Sequence, residues 1–242
     1  MACKFVAVPA FVLTSVCGSV FGQLTYSESS GPLAASVEFS IDGSGALIAR
    51  LTNTSQTDVL VPADVLSAVF FNISGNPSLT ATQAVLTPGS LVYYDLDGQP
   101  AGGIVGGEWG YKSGLSGAPG NRAYGISSAG LNLFGPADLF PGPDLAPPPS
   151  PDGVNYGILS AGDDTGTGNS GILGSGGLIK NSVIFTLSGA GQNFDLNRIG
   201  SVFFQYGTAF DEPGYQGGVP APSSALALLF GGVLTTRRRR TT

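Results

Sequence analysis

Histidine is absent from all 242 residues. Its absence excludes Ser–His–Asp triads, histidine-ligated metals and imidazole pH switches. Cysteine is almost absent, since the two present, Cys3 and Cys17, both lie near the start of the chain. Charge is sparse at 11%, while 42% of residues are hydrophobic. That combination opposes intrinsic disorder, which needs low hydrophobicity and high charge. Helical heptads and long Ala/Glu/Lys/Leu runs are missing, which argues against a bundle or coiled coil. No repeat of fixed period is visible, so solenoids and propellers lack support. What the chain has in abundance is turn formers, 38 glycines and 17 prolines, spread over a length that suits one or two domains.

The first 22 residues have the parts of a secretory signal. Lys4 supplies the positive start, residues 5–16 are largely apolar, and small residues lead to Val20-Phe21-Gly22 before Gln23. The apolar stretch is shorter than the ~20 residues a membrane-spanning helix needs, so cleavage by signal peptidase after Gly22 is the expected outcome. Cys17 does not make a lipoprotein signal, because branched Val16 stands where Gly or Ala is needed. With residues 1–22 removed the chain has no thiol. The exported body then holds no disulfide, no cysteine nucleophile and no cysteine metal ligand.

At the other end, Val219-Pro220-Ala221-Pro222 leads into an apolar stretch at 225–234, then Thr235, Thr236 and the block Arg237, Arg238, Arg239 and Arg240. A short apolar helix enters a bilayer, and four guanidiniums resist translocation and stay cytoplasmic, which leaves the body outside. About ten to twelve apolar residues are marginal as a permanent anchor, being well short of a full span. A weakly held tail is one that a processing enzyme can recognise and replace, as in glycolipid-anchor signals.

This tripartite end resembles the PEP-CTERM sorting signal recognised by exosortase in Gram-negative bacteria. The likeness covers residues 219–242, with Ala221 where the family's motif has Glu. Segments of the body also resemble exosortase-dependent surface proteins: 51–55, 61–66, 106–111, 124–128, 151–153 and 178–182. The resemblance implies an exported protein, processed at Pro220-Ala221-Pro222 by an exosortase-type enzyme and placed at the cell surface. It brings no activity with it.

The charges divide the chain in the same way. All sixteen acidic residues lie between Glu28 and Glu212, where only Arg50, Lys112, Arg122, Lys180 and Arg198 oppose them, leaving −11 for the body. Phosphate backbones will not hold such a surface, so nucleic acid is not an expected partner. A soluble extracellular face, a polysaccharide or a divalent cation suits it better.

Between the two ends the hydrophobic period is two. Val37, Phe39 and Ile41 alternate with Ser36, Glu38 and Ser40; Leu47, Ala49 and Leu51 alternate with Ile48 and Arg50; and Asp42-Gly43-Ser44-Gly45 lies between, the pattern of a hairpin. Residues 69–73, 90–94, 183–187 and 202–206 are further strand candidates, rich in β-branched and aromatic residues. Several of these runs are almost continuously apolar, so both faces of the sheet there should be covered. Residues 62–67 read as a helical turn leading into a strand. The expected fold is all-β, an antiparallel β-sandwich or a jelly-roll-like domain. Residues 129–177 show little strand pattern and read as a long Gly/Pro-rich surface loop pinned by Phe134, Phe140 and Tyr156.

Candidate chemistry is thin. Asp95-Leu96-Asp97-Gly98 begins like a calcium loop, but an EF-hand needs Glu at its twelfth position and Gly106 stands there. Asp95 and Asp97, or Asp163 and Asp164, remain candidates for another kind of calcium loop, against the reading as ordinary Asp-Gly turns. Glu108-Trp109 could offer a carboxylate beside an aromatic platform, as glycan sites do, whereas Trp109 could equally be a core anchor. There is no Gly-x-Ser-x-Gly, no P-loop and no dinucleotide fingerprint in a βαβ context. The sequons at Asn53 and Asn72 fit chance in a bacterial export context. The expectation is a noncatalytic surface or matrix protein with no obligatory cofactor. A calcium-assisted carbohydrate-binding or adhesion module and a carboxylate glycosidase are the alternatives.

Overall fold

The computed structural model describes residues 22–95, 97–167, 172 and 176–218. Thirteen strands are found among them: β1 Gln23–Ser30, β2 Leu33–Ile41, β3 Leu47–Asn53, β4 Leu66–Ile73, β5 Thr80–Leu86, β6 Leu91–Tyr93, β7 Gly110–Ser113, β8 Tyr124–Ser127, β9 Ile158–Leu159, β10 Leu178–Lys180, β11 Ser182–Ser188, β12 Ile199–Tyr206 and β13 Gly214–Gln216. They form two sheets. One has five strands in the order β1-β2-β3-β11-β5; the other has eight, running β13-β12-β4-β9-β10-β6 with β8 and β7 added beside β4. The expected all-β class holds. Among the described residues helix is confined to short 3₁₀ turns, one of them at Pro62–Asp64, where a helical turn was expected ahead of β4.

The β2–β3 hairpin shows why the period-two reading works. Val37, Phe39 and Ile41 face Leu51, Ala49 and Leu47 across the ladder, and all six are buried. On the opposite side Glu38 lies directly across from Arg50 and pairs with it at 2.8 Å. That exposed pair favours the register more than it adds stability. Asp42 closes the turn: its Oδ1 accepts from the Ser44 hydroxyl at 2.7 Å, the Ser44 amide at 2.8 Å and the Ala46 amide at 2.9 Å. These bonds, led by the Ser44 hydroxyl, hold the Asp42 carboxyl below its ordinary pKa.

Strand β4 explains its own unbroken apolar run. Val69, Phe71 and Ile73 join a cluster that also contains Phe39, Leu51 and Phe185 of the five-stranded sheet. Ala68 and Phe70 point the other way, into a second cluster with Ala118, Ala129, Leu131 and Phe134. A third cluster joins Leu159 of β9 and Leu178 of β10 to Val59, Val65, Val154 and Ile172. The eight-stranded sheet is therefore apolar on both faces, one toward the other sheet and one toward loops. Aromatic contacts tie the sheets together: Phe39 meets Phe71 edge-on at 5.2 Å, and Trp109 packs on Phe185 at 4.9 Å.

Residues 129–177 require a correction. Phe134, Phe140 and Tyr156 are buried as expected, but the segment is more than a surface loop. It contributes β9, which pairs in parallel with β10 and antiparallel with β4, and its Leu131, Phe134, Val154 and Ile172 supply much of the cover over the eight-stranded sheet. The stretch lacks periodicity because its apolar residues are spent singly at points where the chain touches down, rather than along one face of a regular strand.

At one of the crossings between the sheets the link is a single residue. Strand β10 belongs to the larger sheet and β11 to the smaller, with Asn181 alone between them at φ 91°. The Asn53 amide bonds the Asn181 carbonyl at 3.1 Å, while its side-chain Nδ2 donates to the Ile158 carbonyl at 3.0 Å. Buried Asn53 thus ties β3 to β9 across the corner, the kind of place where strands exchange sheets.

Candidate functional site

Asp95 and Asp97 lie in the loop after β6. The Asp97 amide donates to Asp95 Oδ1 at 2.8 Å, and Gly98 follows at φ 89°. This is an Asx turn. Asp95 Oδ2 accepts from the Tyr156 hydroxyl. Burial, first of all, and then the bond to Asp95 push the Tyr156 phenol far above its ordinary pKa. Both Asp95 oxygens are therefore engaged within the chain, and the loop is fastened to a buried tyrosine of residues 129–177.

Asp163 is buried and its Oδ1 accepts from the Val59 amide at 2.7 Å, while its backbone carbonyl accepts from Lys180 Nζ. Neighbouring Asp164 makes an Asx contact with Gly166 at 3.0 Å, and its amide donates to Asp58 Oδ1 at 2.8 Å. Among the described residues no three His, Cys, Asp or Glu side chains gather as a metal-binding group.

Glu108 and Trp109 are both fully buried. The indole packs on Phe185 inside the main cluster, so its ring faces are unavailable as a sugar platform. Glu108 Oε1 accepts from the amides of Leu145 and, at 3.2 Å, Ala146; its Oε2 accepts from Ser150 Oγ at 2.5 Å. Burial raises the Glu108 pKa, and these three bonds work against that rise. The carboxylate is an internal clamp that holds residues 145–150 down on the sheet. Gly106 and Gly107 allow the approach. A Cβ on Gly107 would lie 1.8 Å from the Pro143 carbonyl oxygen, and one on Gly106 would lie 2.1 Å from that of Pro141. A lone Glu among apolar neighbours carries no sequence signal of the amides it will meet 37 residues later.

The surface itself offers open depressions. One of about 430 Å³ lies on the outer face of the five-stranded sheet, lined by Thr25, Ser36, Thr52 and the Glu38–Arg50 pair. Segments 51–55 and 178–182 meet at the Asn53–Asn181 corner, and 106–111 and 124–128 lie around the β7–β8 pair. They trace the framework of the fold. Pro220, Ala221, Pro222, Arg237, Arg238, Arg239 and Arg240, together with residues 1–21, lie outside the described residues. No described helix is long and apolar enough to cross a membrane. A scan against family models gave no match to the chain, and no curated protein and no solved structure matches it.

Proposed function

We propose that this chain is a noncatalytic surface or extracellular-matrix protein, exported through residues 1–22 and sorted by its PEP-CTERM-like tail. The body between these ends is read as a single β-sandwich domain. One observation carries the reading: a proline motif at 220–222, an apolar stretch at 225–234 and four terminal arginines stand in that order. That is the arrangement a chain needs to stall in a bilayer and be clipped. Two features of the body agree with it. Its core needs no disulfide, the cysteines being confined to positions 3 and 17. Its buried carboxylate Glu108 is bound to the chain's own amides.

The test is mass spectrometry of the mature carboxyl terminus in a host with and without its exosortase-type enzyme. The expected product ends near Pro222 and lacks Arg237 to Arg240 only when the enzyme is present. An exported protein that keeps the arginine block overturns the reading.

A polysaccharide partner draws on the depression beside Glu38 and Arg50, whose hydroxyls and ion pair present donors and acceptors to a glycan. Loss of binding to the producing cell's own polysaccharide in Arg50→Ala would support that site, and unchanged binding would remove it.

A further inference from the structure

The mature amino terminus is itself a reaction site. This inference rests on the export reading, specifically on cleavage after Gly22. Strand β1 begins at Gln23, and Gly22 before it is exposed, with nothing within 4 Å of an added Cβ. The sheet starts on the residue that cleavage would leave first. We infer that Gln23 cyclises after cleavage to a pyroglutamyl residue, so that the exported body carries a neutral, blocked amino terminus.

The step is intramolecular and balanced. The freed α-amine of Gln23 attacks its own side-chain Cδ, and the new N–Cδ bond closes a five-membered lactam. The Cδ–Nε2 bond breaks, and Nε2 departs as ammonia with the proton the amine gives up. No oxidant, reductant or second substrate takes part.

Three features of the fold permit it. First, the Ser27 carbonyl accepts from the Gly218 amide at 2.7 Å, so the backbone of Ser27 faces away from β2. In an antiparallel pair the outward-facing set recurs at every second residue, and Gln23 belongs to it. Its nitrogen therefore serves no ladder bond to β2, and acylating it costs the sheet none. Second, the Gln23 side chain is exposed, and its Nε2 donates to Glu38 Oε1 at 3.2 Å. Water replaces such a surface bond at little cost, and Glu38 keeps Arg50 at 2.8 Å. Third, Gly22 and Gln23 border an open depression of about 310 Å³ shared with Phe194 and Leu196, which leaves room for the side chain to fold back on the amine. The consequence is electrostatic as well as protective. An α-amine is largely protonated near neutral pH, so cyclisation removes a positive charge from an already acidic body and leaves no amine for an aminopeptidase.

Tandem mass spectrometry of the exported protein, purified from its own host, tests this. The expected amino-terminal peptide begins at residue 23, is lighter than the glutamine form by one ammonia, and resists amine-reactive labelling. The Gln23→Ala protein should begin at the same position, keep its full mass and take the label. A wild-type peptide that begins at Gln23 and keeps its amide through prolonged incubation at neutral pH overturns the inference and leaves export standing. A peptide that begins elsewhere overturns the cleavage boundary, and the inference with it.

Discussion

Replacing Glu108 separates its role as a clamp from any role in chemistry. In Glu108→Ala the amides of Leu145 and Ala146 lose their acceptor, and the Ser150 hydroxyl keeps only the 3.4 Å contact to Asp152 Oδ1. Ala146 and Ser150 are 6% and 1% exposed, so water cannot readily replace the carboxylate. Each orphaned buried donor costs about 1–3 kcal/mol, and release of a desolvated carboxylate offsets part of the total, so the expected net loss is about 2–4 kcal/mol. Glu108→Gln should be milder, about 1–2 kcal/mol below wild type, because the three groups that bond Glu108 all keep a partner and only the second N–H of its NH₂ lacks one. Its amide oxygen can still accept from Leu145 and Ala146. Its NH₂ can donate to Ser150 Oγ, whose proton then turns toward Asp152 Oδ1, 3.4 Å away.

Burial raises the Glu108 pKa, so the folded state holds that proton more tightly than the unfolded chain does. The stabilising contribution from this proton is complete below the unfolded carboxylate pKa and fades as pH rises through the higher folded value. Wild type should therefore gain on Glu108→Gln as pH falls from neutral into the carboxylate range. Urea unfolding followed by the emission of Trp109, the single tryptophan, reads both effects from inside the affected cluster. An alanine variant within about 0.5 kcal/mol of wild type, or a glutamine variant as damaged as the alanine one, would refute the clamp.

Gly107→Ala should lower stability by about 3 kcal/mol or more, or prevent folding, since its Cβ meets a backbone carbonyl that cannot yield. Gly43→Ala, with nothing within 4 Å and no positive φ, is the neutral control, and circular dichroism melts compare the two. Gln99 caps the edge of β6 in the manner of a neighbouring strand, its Nε2 donating to the Val92 carbonyl at 2.6 Å and its Oε1 accepting the Val92 amide at 2.9 Å. Gln99→Ala should cost about 1 kcal/mol and increase concentration-dependent sedimentation as an edge is uncovered. Because Asp95 is occupied by Asp97 and Tyr156, millimolar calcium should move the melting midpoint by no more than about 1 °C, whereas a rise of about 5 °C would establish a cation site.

The strands that could be read in advance are those whose burial is local and regular. Strands β2 and β3 alternate because one face meets the core and the other meets water. The unbroken run in β4 announced cover on both faces, and Ala68 and Phe70 on one side with Val69 and Phe71 on the other bear that out. Strand β1 escaped notice because Ser27, Ser29 and Ser30 dilute its pattern at an edge. Strands β7 and β8 are four residues each, and β9 is two, too short for any period to register.

The site readings divide in the same way. An Asx turn at Asp95–Asp97 is a property of four adjacent residues, so the turn was legible, while its fastening to Tyr156 was not. Composition and order of residues alone determined the all-β character, the acidic body and the lack of thiols outside the first 22 residues, since each depends on local pattern or on a count. Tertiary structure decided that Trp109 lies in the core, that Glu108 serves as a clamp, that Leu131, Phe134 and Val154 cover a sheet and that Asn181 alone links β10 to β11 of the other sheet. Those outcomes depend on which distant backbone arrives beside each group, and no window of neighbouring residues contains that information.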